Sequence, residues 1–428
     1  MDEDRAYAGK NGQCMSRLPF FYGWVMLPAV MLVSICTSPG QTFGVAVFNP
    51  YLREALGLSN SELSGAYAAG TILASLPLIY IGALMDRYGP RRTLMVVVFL
   101  FGITCFGVTQ VSGLLTLFLA FFFLRLLGQG AMSMLARNAL AMWFHRRLGL
   151  ASGLANVGMA AAVGGMPALS IALIESYGWR GAYVVLGGGV WLLLFPLLAF
   201  VFRDRPEEMG QLPDGGKVVE DEERSQATGD DPAFTLPQAL RSRSYWIAVC
   251  CMASWSMSGT GVQFHIVSIF AGRGLDTAAV ATMFSIYAIF VASGRVVGGM
   301  LADRAPLNLL LAASLLCQCA ALLTLDAVAA AWVPQVFPLF SAMGSGMLVS
   351  VGETMWVRYY GRRHMGKIRG SVLTIGVAAS GIGPFAMGVA YDIYGGFSQV
   401  LWLCAGLAAS LAVLAIGATP PKRDGDKD

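Results

Sequence analysis

GALMDRYGPRR at residues 82–92 and GGMLADRAP at residues 298–306 hold the same elements in the same order: Gly82, Asp86 and Arg87 recur as Gly299, Asp303 and Arg304. The offset is 217 residues, and it holds far outside this stretch. Gly57-Leu58 recurs as Gly274-Leu275, Gly164 as Gly381, Pro167 as Pro384 and Tyr177-Gly178 as Tyr394-Gly395. Glu175 has an acidic counterpart in Asp392. An offset that stays constant over most of each half means one structural unit present twice. Both copies are strongly apolar, so the sequence predicts two membrane-embedded helical bundles with a site between them.

Hydrophobic residues make up 56% of the 428 and charged residues 13%, about half of the roughly 25% usual in soluble domains. Apolar runs of about 20 residues recur, each able to cross a hydrocarbon core as a helix. Twelve spans are expected: 21–48, 61–83, 93–111, 114–142, 148–173 and 181–202, then 244–271, 277–301, 307–326, 332–357, 367–391 and 397–418. The expected fold is therefore an all-α membrane protein, twelve transmembrane helices in two pseudo-symmetric six-helix bundles. The bundles would occupy 1–202 and 244–418, with a polar linker at 203–243 and a tail at 419–428. The linker carries RDRPEEMG and the acidic run Glu220-Asp221-Glu222-Glu223, and it reads as a cytoplasmic tether.

Basic residues set an orientation. With the N-terminus in the cytoplasm, 23 of the 29 Lys and Arg fall on the inner side. Arg53, Arg180 and Arg273 fall outside, and Arg125, Arg137 and Arg295 lie within spans. This asymmetry places both termini in the cytoplasm of a multi-pass protein of the cell (inner) membrane. The net charge of +4 follows from that topology and makes no case for nucleic acid. The first apolar run has no small-residue cleavage site after it, so no cleaved signal peptide is expected.

Nothing in the chain predicts catalysis, a cofactor or a metal. No phosphate loop and no nucleophile–His–acid order occur, there are three histidines, and Cys250-Cys251 and Cys317-x-Cys319 lack partners at metal spacing. The eight cysteines read as reduced thiols, most of them buried.

Two six-helix halves with GxxxDRxGxRR between spans two and three resemble the major facilitator superfamily. Here the motif is Gly82, Asp86, Arg87, Gly89, Arg91 and Arg92. Gly82 would permit close helix packing, and Asp86 would accept charge-assisted bonds from arginines near a helix N-terminus. The pattern then forms a latch, repeated at Asp303-Arg304; the plainer alternative is that the arginines only enforce topology. Arg125, in FFFLRLLGQGA, matches the family's span-four arginine element. A charge at that depth costs at least ~2.5–3.5 kcal/mol unless paired or hydrated, so it faces protein or water and is expected to be structural or coupling.

A narrower resemblance is carried by WFHRRLGLASGLANVG at 143–158, which is similar to the YFxKRRxLAxGxAxAG signature of the monocarboxylate transporters. The layout also looks like that of the oxalate:formate antiporters. That resemblance implies a span-eight arginine that binds substrate, and Arg295 in FVASGRVVGGMLADR aligns with it. Its planar, permanently charged fork matches a carboxylate. A buried Arg–acid structural pair is the competing account. Two departures matter. Val291 stands where the family carries a proton-coupling aspartate, and Gln41-Thr42 occupy the region of its first-span lysine.

Other candidates for the cavity are Gln41, Asn138, Gln263 and His265, the last able to titrate if hydrated. Glu353 in span ten is an intramembrane acid that faces the cavity or pairs with Arg137 as a gate. Pro39-Gly40 and Gly381-x-Gly383-Pro384 are expected to bend their helices. The functional expectation is a secondary active carrier of a small organic anion, such as lactate or pyruvate, working by alternating access with or without proton symport. Partners would be that anion, protons and membrane lipid, with the chain a monomer. The alternatives are a carrier of a neutral or cationic solute, and a transporter-like sensor.

Overall fold

The computed structural model of the chain describes residues 20–144, 147–213, 234–361 and 365–421. The described residues contain helices and no strand. In lipid this is the expected outcome, because an isolated helix satisfies its own backbone groups.

Twelve spans succeed one another. The first is broken into Gly23–Cys36, a 3-10 turn Ser38–Gly40 and Thr42–Leu56. The second is split by Pro77 into Asn60–Ser75 and Leu78–Tyr88. Pro90–Val108 forms the third, and Leu114–Trp143 the fourth, with a π-helical segment Leu124–Met132 at its centre. Helical structure runs over Leu148–Pro196, but Gly178 at φ 69° turns the chain there and separates spans five and six; a π turn Leu197–Val201 completes the sixth. The second half is more regular: Arg243–Gly272, Thr277–Arg304, Leu307–Ala327, Val333–Tyr360, Met365–Tyr394 and Ser398–Ala415. An even number of spans puts both ends of the chain on one side, called here the terminal side, and the opposite side distal.

The expected linker is only partly described. Pro206–Met209 forms a 3-10 turn and Leu236–Arg241 a short helix; residues 214–233 lie outside the described residues.

The repeat reappears as matching contacts. Arg91 donates to the Ala199 carbonyl, closing the end of the sixth span, and Asn308 donates to the Ile416 carbonyl at the end of the twelfth. Asn308 and Ile416 each stand 217 residues beyond their counterparts. The equivalent carbonyls of Thr109 and Asp326 are also both capped by an arginine, but by arginines at different places in the repeat, Arg180 and Arg273.

The halves are joined distally. One packed cluster unites Phe43, Ala46 and Ala162 of the first half with Val262, Phe284, Met387 and Phe397 of the second. By contrast, the cluster at the terminal side of the second half is built from second-half residues alone. Asn49 Nδ2 donates to the Phe264 carbonyl at 2.7 Å across the join, and Tyr67 packs on Phe264 with ring centroids 4.4 Å apart.

Candidate functional site

Arg295 lies in the eighth span, nine residues before Arg304, hence about 13 Å from that helix end at 1.5 Å per residue. The eighth span is pressed onto the tenth through glycine. A Cβ added at Gly346 would lie 2.6 Å from both the Arg295 nitrogen and the Val291 oxygen, and Gly294 and Gly298 approach Met343 and Met347 as closely. Ser350 Oγ donates to the Arg295 carbonyl at 2.9 Å, tying the two backbones at this level. Small residues are how membrane helices come this near, since lipid offers no hydrophobic drive to push them together.

The side chain thus held is half-buried, and its Nε is buried with no hydrogen-bond partner. Among the described residues no ion pair involves Arg295. Tyr287, two turns distal on the same helix, lies within electrostatic reach of the guanidinium. Tyr287 also lines a cavity of about 280 Å³ inside the second half, with Trp255, Ser256, Gln263, Gln318 and Ser341. Gln263 lines this cavity, which lies within the second half and not between the halves.

The first half offers a broken helix at the corresponding depth. At Gln41 the backbone is extended (ψ 154°), and the chain re-enters a helix at Thr42. Gly40 and Gly44 permit this, because a Cβ at either would strike backbone oxygen, of Leu124 and Ser38 respectively. Arg125 pins the break. Its Nη1 donates to the Gly40 carbonyl at 3.4 Å and Thr42 Oγ1 at 3.2 Å, its Nε to Thr71 Oγ1 at 3.1 Å, and its guanidinium lies 5.0 Å from the Tyr67 ring centroid. It is 4% exposed, so its role is to hold spans one, two and four together. Gln41 spans the same gap, its Nε2 donating to Thr37 Oγ1 and Ser133 Oγ. Arg125→Leu should cost about 2 kcal/mol net, from several bonds to a charged donor less the relief of desolvation. A thermal unfolding midpoint in detergent equal to that of the native chain would contradict this.

Several expected site residues lie elsewhere. His265 is 2% exposed; its ring nitrogen meets the Pro384 carbonyl at 3.0 Å and it packs between Phe264 and Phe397, so it is a contact between spans seven and eleven, with no access to the cavity. Asn138 is half-buried against the Met85 sulfur. Arg137 is exposed, bonded to the Ser133 carbonyl of its own helix. The Glu353 and Asp86 side chains lie outside the described residues. Gly82 and Gly299 are not packing positions, since a Cβ on either would meet nothing within 4 Å. At Gly381-x-Gly383-Pro384 helical structure runs on unbroken through Met365–Tyr394 with Pro384 inside it, and Gly383 and Gly388 admit the backbones of Met257 and Asn60.

The basic motif grips its own half. Gly89 (φ 84°) turns the chain between spans two and three beside Asp204, whose Oδ1 accepts from the Arg91 backbone nitrogen at the start of the third helix. Arg91 in turn bonds the Leu198 and Ala199 carbonyls. Arg87 is exposed over the Tyr88 ring. In the second copy Asp303 pairs with Arg358 of the tenth span at 3.1 Å, while Arg304 is exposed. Asp204 and Arg358 were not singled out from sequence, because their partners lie 113 and 55 residues away.

A distal latch was also missed. Asp392, near the end of span eleven, accepts from the backbone nitrogens of Asn60 (3.2 Å) and Ser61 (2.8 Å) at the start of span two. A carboxylate at a helix N-terminus contributes about 0.3–1 kcal/mol when exposed. Asp392→Ala should therefore shift the balance away from this distally closed form by roughly two- to fivefold. The readout is the labelling rate of Ser64→Cys, a position packed under Gly388; an unchanged rate would remove the latch.

The profile of the Major Facilitator Superfamily matches residues 30–337. The "Probable sulfoacetate transporter SauU" of Cupriavidus necator is 24% identical over 289 residues, 65% of each chain. The "Oxalate:formate antiporter" of Oxalobacter formigenes is 27% identical over 290 residues, 66% of this chain and 63% of that one. Human "Monocarboxylate transporter 6" is 28% identical over 180 residues, 41% and 35% of the two chains. The chain thus spans under two thirds to about one third of the length of these relatives. A crystal structure of a bacterial homolog to the human lysosomal transporter Spinster superposes with a TM-score of 0.70 at 16% identity, over 93% of this chain and 97% of that one. Profile, repeated spans and superposition agree: the chain belongs to the Major Facilitator Superfamily and has the fold of its transporters.

Proposed function

We propose that this transporter carries a small organic anion bearing a carboxylate, bound at Arg295 and moved by alternating access of the two halves. One observation carries the reading: a guanidinium at membrane depth with a buried, unpartnered Nε and no ion pair among the described residues. Such a charge is costly unless something anionic or aqueous meets it, and its fork suits a carboxylate. The relatives point the same way. Sulfoacetate, monocarboxylates, oxalate and formate, the cargoes in their names, all carry a carboxylate. Exposed Arg137 at membrane depth supports a hydrated cleft between the halves on the terminal side, and the distal clasp fits one end state of the cycle. Proton symport accords with the resemblance to monocarboxylate transporters, although Val291 replaces their acid. The reading includes a monomer in the cell membrane with both termini cytoplasmic.

The test is uptake into proteoliposomes under an imposed pH gradient, with labelled lactate, pyruvate, formate and oxalate beside glucose and a cationic dye. Saturable uptake of a carboxylate is expected. Uptake of the sugar or the dye with no carboxylate entering would overturn the assignment and favour a carrier of neutral or cationic solutes.

A further inference from the structure

On the terminal side, at the ends of spans seven and twelve, lies a cavity of about 470 Å³. Its walls are the linker helix Leu236–Arg241, the first residues of span seven and the segment from Gly417 to Pro421. Hydrogen bonds hold these walls. Phe234 N donates to the Tyr360 carbonyl at 3.1 Å, the Tyr359 hydroxyl to the Ala418 carbonyl at 3.0 Å, and Ser244 Oγ to the Thr419 carbonyl. Arg241 and Arg243 both line the cavity. Among the described residues no carboxylate lines it, and neither guanidinium makes a hydrogen bond or an ion pair. Arg243 lies across the C-terminal segment, its Nη2 3.7 Å from where a Cβ on Gly417 would stand. Neighbouring polar groups are already engaged: Ser242 Oγ with the Tyr245 nitrogen and the Tyr360 hydroxyl, and Gln238 Oε1 with Thr235. The cavity is left with two planar cations that nothing answers.

We propose that this cavity seats the phosphate of an anionic phospholipid from the terminal-side leaflet, held by Arg241 and Arg243. A guanidinium fork matches phosphate oxygens in geometry as well as charge, and basic pockets at the membrane surface hold anionic headgroups. The level is right for a headgroup. Trp246, one turn into span seven, is exposed and donates to the Leu240 carbonyl at 2.8 Å, and Leu240 is exposed as well. An exposed tryptophan at a span end belongs to the interfacial belt. Free phosphate would meet the same two cations, but nothing in it answers Leu240 and Trp246, which favours the lipid. Arginines that only enforced topology would need no walled cavity. The occupant bridges the linker helix, span seven and the C-terminal segment.

The test is the thermal unfolding midpoint of the purified full-length chain in neutral detergent. It is titrated with phosphatidylglycerol, with phosphatidylcholine of the same acyl chains, or with inorganic phosphate. Phosphatidylglycerol should raise the midpoint by several degrees beyond phosphatidylcholine, and inorganic phosphate should not raise it. Arg241→Gln combined with Arg243→Gln should keep the lipid-free midpoint, since neither side chain abandons a partner. It should need on the order of tenfold more phosphatidylglycerol for the same shift. Should the double variant not fold, Arg241→Gln alone should still raise that requirement severalfold. Arg205→Gln removes an exposed charge on the same side but outside the cavity, and should respond as the native chain does. Equal shifts with the two lipids, an undiminished response in the cavity variants, or an equal loss in Arg205→Gln overturns the site. An equal shift from inorganic phosphate assigns the cavity to a soluble anion and overturns the lipid. A lipid response that emerges only with Glu220→Gln, Asp221→Asn, Glu222→Gln and Glu223→Gln assigns it to that acidic run and overturns the lipid too.

Discussion

Arg295→Ala is expected to abolish the proposed carboxylate uptake while the protein folds and inserts normally, and Arg295→Lys is expected to restore at most a small fraction. A guanidinium presents two parallel donors to a carboxylate, each hydrogen bond to a charged group worth about 1.5–3 kcal/mol. Losing both removes roughly 3 kcal/mol or more, beyond a hundredfold in binding. Lysine keeps the charge but presents a single point, so it recovers attraction without the fork. The variant should keep its stability, because the Nε has no partner to abandon and no ion pair among the described residues is broken. Here the two arginines at membrane depth separate. Arg125 is bonded to Gly40, Thr42 and Thr71, so its loss is felt in the fold; Arg295 is bare, so its loss is felt in transport. Uptake in proteoliposomes with equal protein content, beside a thermal unfolding curve, checks both halves of the statement. Normal uptake by Arg295→Ala would remove the anion anchor altogether.

The spans, the repeat and the break at Pro39-Gly40 were legible because they depend on local chemistry: apolar length, a constant offset, and residues that deny the helix its ladder. Which way a residue faces was not legible. In a soluble helix the apolar stripe marks the inner face, but lipid is as apolar as a protein core, so that signal fades. His265 illustrates this: its residue type suggests a titrating cavity group, yet it points at Pro384. Glycine was misread for a related reason. Gly82 and Gly346 look alike in sequence, and only the neighbouring helix distinguishes open space from a backbone contact. Asp204, Asn308 and Asp392 bond to backbone of distant segments, so nothing near them in sequence marks their partners.

Gly346 yields the second large effect. Substituting leucine or valine there should disable both folding and transport, because the obstruction is main chain. The added Cβ would sit 2.6 Å from Arg295 N and Val291 O and 2.7 Å from Gly294 C, and none of these atoms can rotate aside. The eighth and tenth spans must then separate, breaking the Ser350 bond to the Arg295 carbonyl and moving the guanidinium with its helix. Overpacking of a tight core costs typically about 1–3 kcal/mol; with a clash against main chain the upper end is expected, several degrees in the unfolding midpoint. Displacement of the anchor by about 1 Å would reduce transport on the order of a hundredfold even in molecules that fold. Gly299→Ala supplies the control one helix face away. Its Cβ meets nothing within 4 Å, and alanine favours a helix over glycine by about 1 kcal/mol, so that variant should be as stable as the native chain or more so. If Gly346→Leu unfolds at the native temperature and transports normally, the glycine contact does not position Arg295. The site would then have to be sought on another pair of helices.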